Sequence, residues 1–242
     1  FKLMTVAESW AADTTQWQPL IPHRAQVYLE GIEVFKRHLV LQEREAGLLH
    51  IRIIDQVTQK EHYLNFGEPA YTAYVSTNPD FDTHILRYGY TSLTTPNSTF
   101  DYDMNTGERL LLKQQEVLGG FNKDDYQTER LFAPARDGVL VPISIVYKKS
   151  FQKNGTGPLL QYSYGSYGYS MDPSFSAGRL SLLNRGFAFA ICHIRGGHEM
   201  GRAWYDNGKM LHKKNTFNDF VDCSLFLIHE KWTSSEGLFA MG

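Results

Sequence analysis

Cysteine is almost missing from this chain: there are two among 242 residues. Cys192 and Cys223 sit in the apolar stretches "FAFAICHI" and "FVDCSLFLI". They give neither a disulfide framework nor a zinc spacing, and they favour a reducing, cytoplasmic location. An excess of one charge is missing too. With 24 basic against 26 acidic residues the formal charge is −2, so nothing marks nucleic acid as a partner. No run approaches the roughly 18–20 apolar residues of a membrane span, and "FKLMTVAESW" has neither the basic stretch nor the apolar core of a leader, so no membrane partner is expected. No initiating methionine opens the chain, and it closes on "EGLFAMG", an apolar strand stopping at a glycine; it therefore reads as cut at both ends. No cofactor or metal is expected. "HEM" at 198–200 fails the H-E-x-x-H zinc pattern because residue 202 is Arg. What remains, 42% hydrophobic and 21% charged, is enough for a sizeable core and for more than one domain.

Up to about residue 115 the pattern is short strands broken by turn residues: "HLVLQER", "LLHIRIID", "YTAYVST", "THILRYGY" and "STFDYDM". Helical periodicity is absent there. "IRIIDQVTQKEHYL" (51–64) and "TFDYDMNTGERLLL" (99–112) share one layout, with Asp55 and Thr58 matching Asp103 and Thr106 at an offset of 48 residues. That is about the length of one propeller blade. In each, the Asp side chain can bond backbone amides of its own turn, and Gly107 can take the positive φ that such a turn requires. An all-β sandwich with similar hairpins fits this pattern as well as a propeller does.

After the linker "QQEVLGGFNKDDY" (114–126) the pattern changes. A strand pair joined across "RDG" precedes a strand "PLLQYSYG" (158–165), a helix over 174–186 with Gly186 at its C′ position, a strand "FAFAICHI" (187–194), a helix over 215–232 and a last strand "GLFAM". Asn215 or Thr216 is the expected N-cap of the second helix. Phe217, Phe220, Val221, Leu225, Leu227 and Ile228 are its expected sheet-facing side, and Asp219 and Asp222 are expected on its surface or near its first turn. Strand, helix, strand, helix, strand predicts a parallel sheet. Chemistry in such a sheet gathers at the carboxyl ends of the strands. An α/β-hydrolase places a G-x-S-x-G nucleophile turn there, and Gly242 stands where its first glycine would be. The loop "YSYGSYGYSMDPSF" (162–175) is the richest candidate: Tyr162, Tyr164, Tyr167 and Tyr169 bring hydroxyls, while Gly165 and Gly168 let the backbone bend. A plain exposed Tyr/Gly loop is the simpler alternative.

Taken in order, "DYQTERLFAPARDGVLVPISIVYKK", "GPLLQYSYGSYG", "RGFAFAICHIRGGHEMGRAWYDNGKMLHKKNTFNDFVDCSLFLI" and "GLFAMG" resemble the prolyl oligopeptidase family of serine peptidases. "YGSYG" and "IRGGHEMG" look most like its oligopeptidase B branch. The resemblance implies that 1–115 are the closing blades of a seven-bladed β-propeller and that 116–242 are the N-terminal half of an α/β-hydrolase peptidase domain. It further implies hydrolysis of short peptides after Arg or Lys through an acyl-enzyme. The Tyr164 hydroxyl would be an oxyanion donor and Tyr167 a wall of the substrate pocket. Gly165, Arg195 and Gly242 would be structural residues near the site, with Arg195, His198 and Glu199 ordering a loop beneath it. The family's chain order of Ser, Asp, His leaves no triad histidine among the nine present, so these 242 residues alone are expected to be inactive. A prolyl-specific member, or an inactive relative serving as an interaction scaffold, carries the same motifs. The oligomeric state is not readable.

Overall fold

A computed structural model describes residues 1–242, and a short ribbon of β1 (Leu3–Thr5) and β2 (Gln18–Ile21) opens it. Two four-stranded antiparallel meanders follow. The first comprises β3 (Val27–Val34), β4 (His38–Glu45), β5 (Leu48–Asp55) and β6 (Glu61–Tyr63). The second comprises β7 (Tyr71–Val75), β8 (Ile85–Ser92), β9 (Ser98–Asp103) and β10 (Arg109–Gln114). The 48-residue repeat is the last hairpin of each. In the first, the amides of Val57 and Thr58 donate to Asp55 Oδ1 at 2.9 and 3.0 Å; in the second, those of Asn105 and Thr106 donate to Asp103 Oδ1 at 2.8 and 3.1 Å. The left-handed position is Gly107 (φ 81°) in one and Gln59 (φ 57°) in the other. Val40, Ile51 and Ile53 of the first sheet bury themselves against Tyr71, Ala73, Leu86 and Tyr88 of the second, as neighbouring blades do.

The third sheet runs β11 (Tyr126–Pro134), β12 (Leu140–Lys148), β14 (Ala188–Cys192), β13 (Leu159–Tyr162), β15 (Leu238–Met241) in space. Its first three strands are antiparallel, and β13 pairs parallel to both β14 and β15. Three helices, α1 (Ala177–Asn184), α2 (Arg202–Asp206) and α3 (Lys214–His229), join them. β14 is buried throughout, and the period-2 alternation divides it. Phe189 and Ile191 pack with Leu180 and Leu183 of α1, while Ala188, Ala190 and Cys192 pack with Cys223 and Leu227 of α3. α1 ends as expected: Gly186 takes φ 87° while its amide and that of Phe187 close on Leu183 and Leu182.

α3 departs from the sequence expectation in two ways. Phe217, Val221 and Leu225 are 64%, 47% and 59% exposed, and the buried side is Thr216, Asp219, Asp222, Cys223 and Leu227. The rotation is set by charge: Asp219 is fully buried against Arg195, and Asp222 pairs with Arg136 at 2.8 Å. A buried guanidinium left unpaired costs more than a few exposed apolar side chains. Nor do Asn215 and Thr216 cap the helix. A 3₁₀ turn over Met210–His212 runs straight into it through Lys213, which is already helical (φ −58°, ψ −27°). Asn215 instead donates to the Asn207 carbonyl, and Thr216 Oγ1 donates to the carbonyls of Arg195 and Gly208 at 2.8 and 3.1 Å.

The blades and the third sheet meet through polar contacts. Arg44, almost wholly buried, donates from Nε to Glu30 and from Nη1 to Asp172, both at 2.6 Å. Gly47 donates its amide to the Glu199 carbonyl at 2.6 Å, Phe175 donates to Thr91 Oγ1 at 3.1 Å, and Tyr28 stacks on His198 at 4.4 Å.

Candidate active site

The parallel register puts Tyr162 opposite Met241, so the chain leaves β13 and β15 side by side at one edge of the sheet. Ser163 is buried and donates from Oγ to the Cys192 carbonyl at 2.6 Å, which turns Tyr164 outward. Tyr164 is 44% exposed and meets Tyr169 edge-on at 5.8 Å. Two cavities flank it. One, of about 540 Å³, is walled by Tyr162, Tyr164, Tyr167, Tyr169 and Met171; the other, of about 370 Å³, runs from Tyr164 along Phe217, Phe220 and Val221 to Gly242. Two of the expected residues, Tyr164 and Gly242, thus share one groove.

The loop after Tyr164 is built by close backbone approach. Gly165 takes φ 63°, and a Cβ there would lie 2.6 Å from both Ile194 and Thr216. Ser166–Tyr169 is a β-turn closed by the Tyr169 amide on the Ser166 carbonyl at 2.9 Å. Its central residues, Tyr167 and Gly168, have φ 56° and 72°. A tyrosine in the left-handed region is uncommon and costs about 1–2 kcal/mol. Tyr167 is nevertheless held there with its ring 88% exposed. Below, Gly196 comes so close that a Cβ would sit 2.0 Å from the Gly165 carbonyl oxygen, and the Gly196 carbonyl accepts from the Gly168 amide at 2.9 Å.

Arg195 lies under this loop, not in the groove. Its Nε and Nη2 donate to Asp219 at 2.9 and 2.6 Å, its backbone amide donates to the same carboxylate at 2.9 Å, and its Nη1 donates to Asp137 at 2.6 Å. The hydrogen bond from Arg195 Nη1 holds the Asp137 carboxyl below its usual range. His198 is taken up by its stack with Tyr28, and the Glu199 Oε1 accepts from the Met171 amide at 3.0 Å. Burial raises the Glu199 pKa to about 7. One Ser–His hydrogen bond exists, Ser144 Oγ to His193 Nε2 at 2.8 Å, but both residues are fully buried between β12 and β14, where no substrate reaches them. Burial also drives the His193 pKa far below the ordinary imidazole value.

Lys213, Asp137 and Thr216 also hold this site. Lys213 Nζ donates to the Gly165 carbonyl and, at 2.6 Å, to Ser166 Oγ. In the sequence it is the first lysine of "KKN", with no sign of its target.

Four-stranded blades feeding a β/α sheet whose strand ends converge on one groove define a propeller-bearing α/β-hydrolase architecture. The comparisons agree. Residues 1–115 match the family model described as "Prolyl oligopeptidase, N-terminal beta-propeller domain", and residues 173–242 match "Prolyl oligopeptidase family". The chain belongs to the prolyl oligopeptidase family. It is 45% identical to dipeptidyl aminopeptidase BI of Pseudoxanthomonas mexicana over 100% of its own length and 33% of that protein's. It is 37% identical to protease 2 of Moraxella lacunata, over 92% of this chain and 32% of the relative. Its fold superposes on oligopeptidase B from Leishmania major with a TM-score of 0.90 at 37% identity, covering 99% of this chain and 34% of that one. The chain therefore spans about a third of the length of the relatives it matches.

Proposed function

We propose that the whole protein is a serine peptidase that cleaves short peptides after Arg or Lys through an acyl-enzyme, with the Tyr164 hydroxyl donating to the tetrahedral oxyanion. On this reading 1–115 are closing propeller blades, 116–242 begin the catalytic domain, and the nucleophile, acid and base lie in sequence beyond these residues. The observation that carries it is the placement of Tyr164: half-exposed at the end of β13, in one groove with Gly242 at the end of β15. A nucleophile turn leaving β15 would present its serine to that groove. Tyr167, held outward against its backbone preference, forms the wall of the neighbouring aromatic cavity and contacts the peptide. Specificity for a basic residue is supported by the likeness to oligopeptidase B. The two unbridged, buried cysteines fit a cytoplasmic location.

The test is Tyr164→Phe in the whole protein. Losing one oxyanion donor costs about 10²–10³ in rate, so kcat falls by that factor while KM stays nearly constant. An unchanged kcat removes Tyr164 from the mechanism. Arginyl and prolyl reporters, compared on the parent enzyme, decide between the basic-specific and prolyl-specific readings; turnover of neither favours the scaffold. The 45% identity to a dipeptidyl aminopeptidase supports a second specificity, removal of dipeptides from free N-termini. Reporters with a blocked N-terminus report on it: cleavage of the free form alone selects this reading.

A further inference from the structure

The segment from Tyr164 to Tyr167 is suspended between two anchors. Upstream, Ser163 is pinned to the Cys192 carbonyl; downstream, the Gly168 amide is pinned to the Gly196 carbonyl. Between them, the polar tie to the body of the domain is Lys213, whose ammonium donates to the Gly165 carbonyl and to Ser166 Oγ. The Gly165 carbonyl belongs to the peptide unit joining Gly165 to Ser166, one residue past Tyr164, so holding it restrains the backbone from which the tyrosine side chain projects. Lys213 is itself rigidly placed. It closes the 3₁₀ turn at Met210–His212 and leads directly into α3, whose Thr216 is tied to the carbonyls of Arg195 and Gly208. It forms no ion pair with any carboxylate, and it is only partly exposed. A desolvated ammonium without a counter-ion is costly unless its donors are used. Here they are spent on the loop that carries the oxyanion donor.

We propose that Lys213 is a positioning residue for Tyr164: by holding the Gly165 carbonyl and Ser166 Oγ it aims the tyrosine hydroxyl at the developing oxyanion. This rests on the role given to Tyr164 under the proposed function. Lys213 touches neither substrate nor nucleophile; its effect passes through the loop. A donor displaced by an ångström loses much of its effect in the transition state while leaving ground-state binding nearly intact.

The experiment is a double-mutant cycle in the whole protein, with Lys213→Met, Tyr164→Phe and the double variant assayed on the peptide reporter that the parent enzyme turns over. Lys213→Met keeps the aliphatic stem and removes the donors. Lys213→Met is expected to lower kcat roughly tenfold to a hundredfold with KM within about threefold. In the Tyr164→Phe background the same substitution is expected to change kcat by less than about twofold, because the group it aims is already gone. If Lys213→Met does not fold, Lys213→Gln, which keeps an N–H donor but loses the charge and some reach, completes the same cycle. A Tyr164→Phe variant as active as the parent overturns both the oxyanion role and the role of Lys213. A crippled Tyr164→Phe beside a Lys213→Met of parental kcat overturns the Lys213 role alone. So does an equal loss in both backgrounds, which would assign Lys213 to the fold and not to Tyr164.

Discussion

Arg195 holds two carboxylates: Asp219 accepts from its Nε, Nη2 and backbone amide, Asp137 from its Nη1 alone, and burial separates them further. Its Nη2 meets Asp219 Oδ1 and its Nη1 meets Asp137 Oδ2, each at 2.6 Å, yet Asp219 is 0% exposed and the Asp137 side chain 42%. Asp219→Ala would leave Nε and Nη2 of a buried guanidinium without acceptors and also orphan the Arg195 backbone amide. Breaking a buried pair in this way costs about 3–5 kcal/mol. Asp137→Ala removes a partner that water can replace, at a cost of no more than about 1 kcal/mol. Amide hydrogen exchange followed by mass spectrometry reads both locally, on peptides covering β14 and α3. At 1.36 kcal/mol per factor of ten, the Asp219 variant should exchange at least ~150-fold faster where exchange requires opening of this contact, and the Asp137 variant about fivefold at most. Equal acceleration by the two variants, or less than about tenfold for Asp219→Ala, would refute the claim that the buried, triply bonded carboxylate is the stronger anchor.

Three further outcomes are expected. Glu199 binds its proton more tightly when folded, with a pKa raised from 4.5 to about 7, so the native state holds the extra proton between those values. Stability therefore falls as pH rises from about 4.5 to 7, by an amount on the order of 3 kcal/mol, and then levels. Glu199→Gln, whose Oε1 can still accept from the Met171 amide, should flatten that slope in denaturant titrations; an unchanged slope would place the titration elsewhere. Tyr167→Gly should relieve about 1 kcal/mol of backbone strain and, if the ring contacts the peptide, raise KM severalfold with kcat nearly unchanged; a constant KM would remove the ring from binding. Gln59→Gly should raise stability by up to ~1 kcal/mol, because Gly107 already fills the same left-handed position in the sister hairpin; a lowered urea midpoint would show that the Gln59 side chain contributes more than its backbone costs.

Features encoded within a few residues were legible in the sequence. The Asp55 and Asp103 hairpins bond within their own turns, Gly186 ends α1 through its own neighbours, and the alternation of strands and helices pointed to the parallel pairing of β13 with β14 and β15. Features set by distant partners were not. Asp219 read as a surface carboxylate because its partner, Arg195, comes from another loop, and burying that pair leaves Phe217, Val221 and Leu225 of the expected face outside while Leu227 stays buried. The expected cap at Asn215 or Thr216 failed for a related reason, since a 3₁₀ turn continuing into a helix leaves no polar signature of its own. At the site, the tyrosine-rich loop stood out by composition. Lys213 did not, because its acceptors are a backbone carbonyl and a hydroxyl nearly fifty residues away.

The parallel pairing of β13 has a consequence for synthesis on the ribosome. The blade hairpins join strands adjacent in the chain and can close soon after they emerge. β13 has one neighbour, β14, that follows it closely, while its other edge is matched by β15, beginning at Leu238. At about 5–20 residues per second the stretch from Cys192 to Leu238 takes roughly 2–9 s to translate. Throughout that interval Leu159–Tyr162 presents an apolar strand with one row of unsatisfied amides and carbonyls, the kind of edge that chaperones cover and that mispairs when they do not. Slowing translation between these two points would lengthen that exposure, so the yield of soluble protein should depend on elongation rate there more than in the blades.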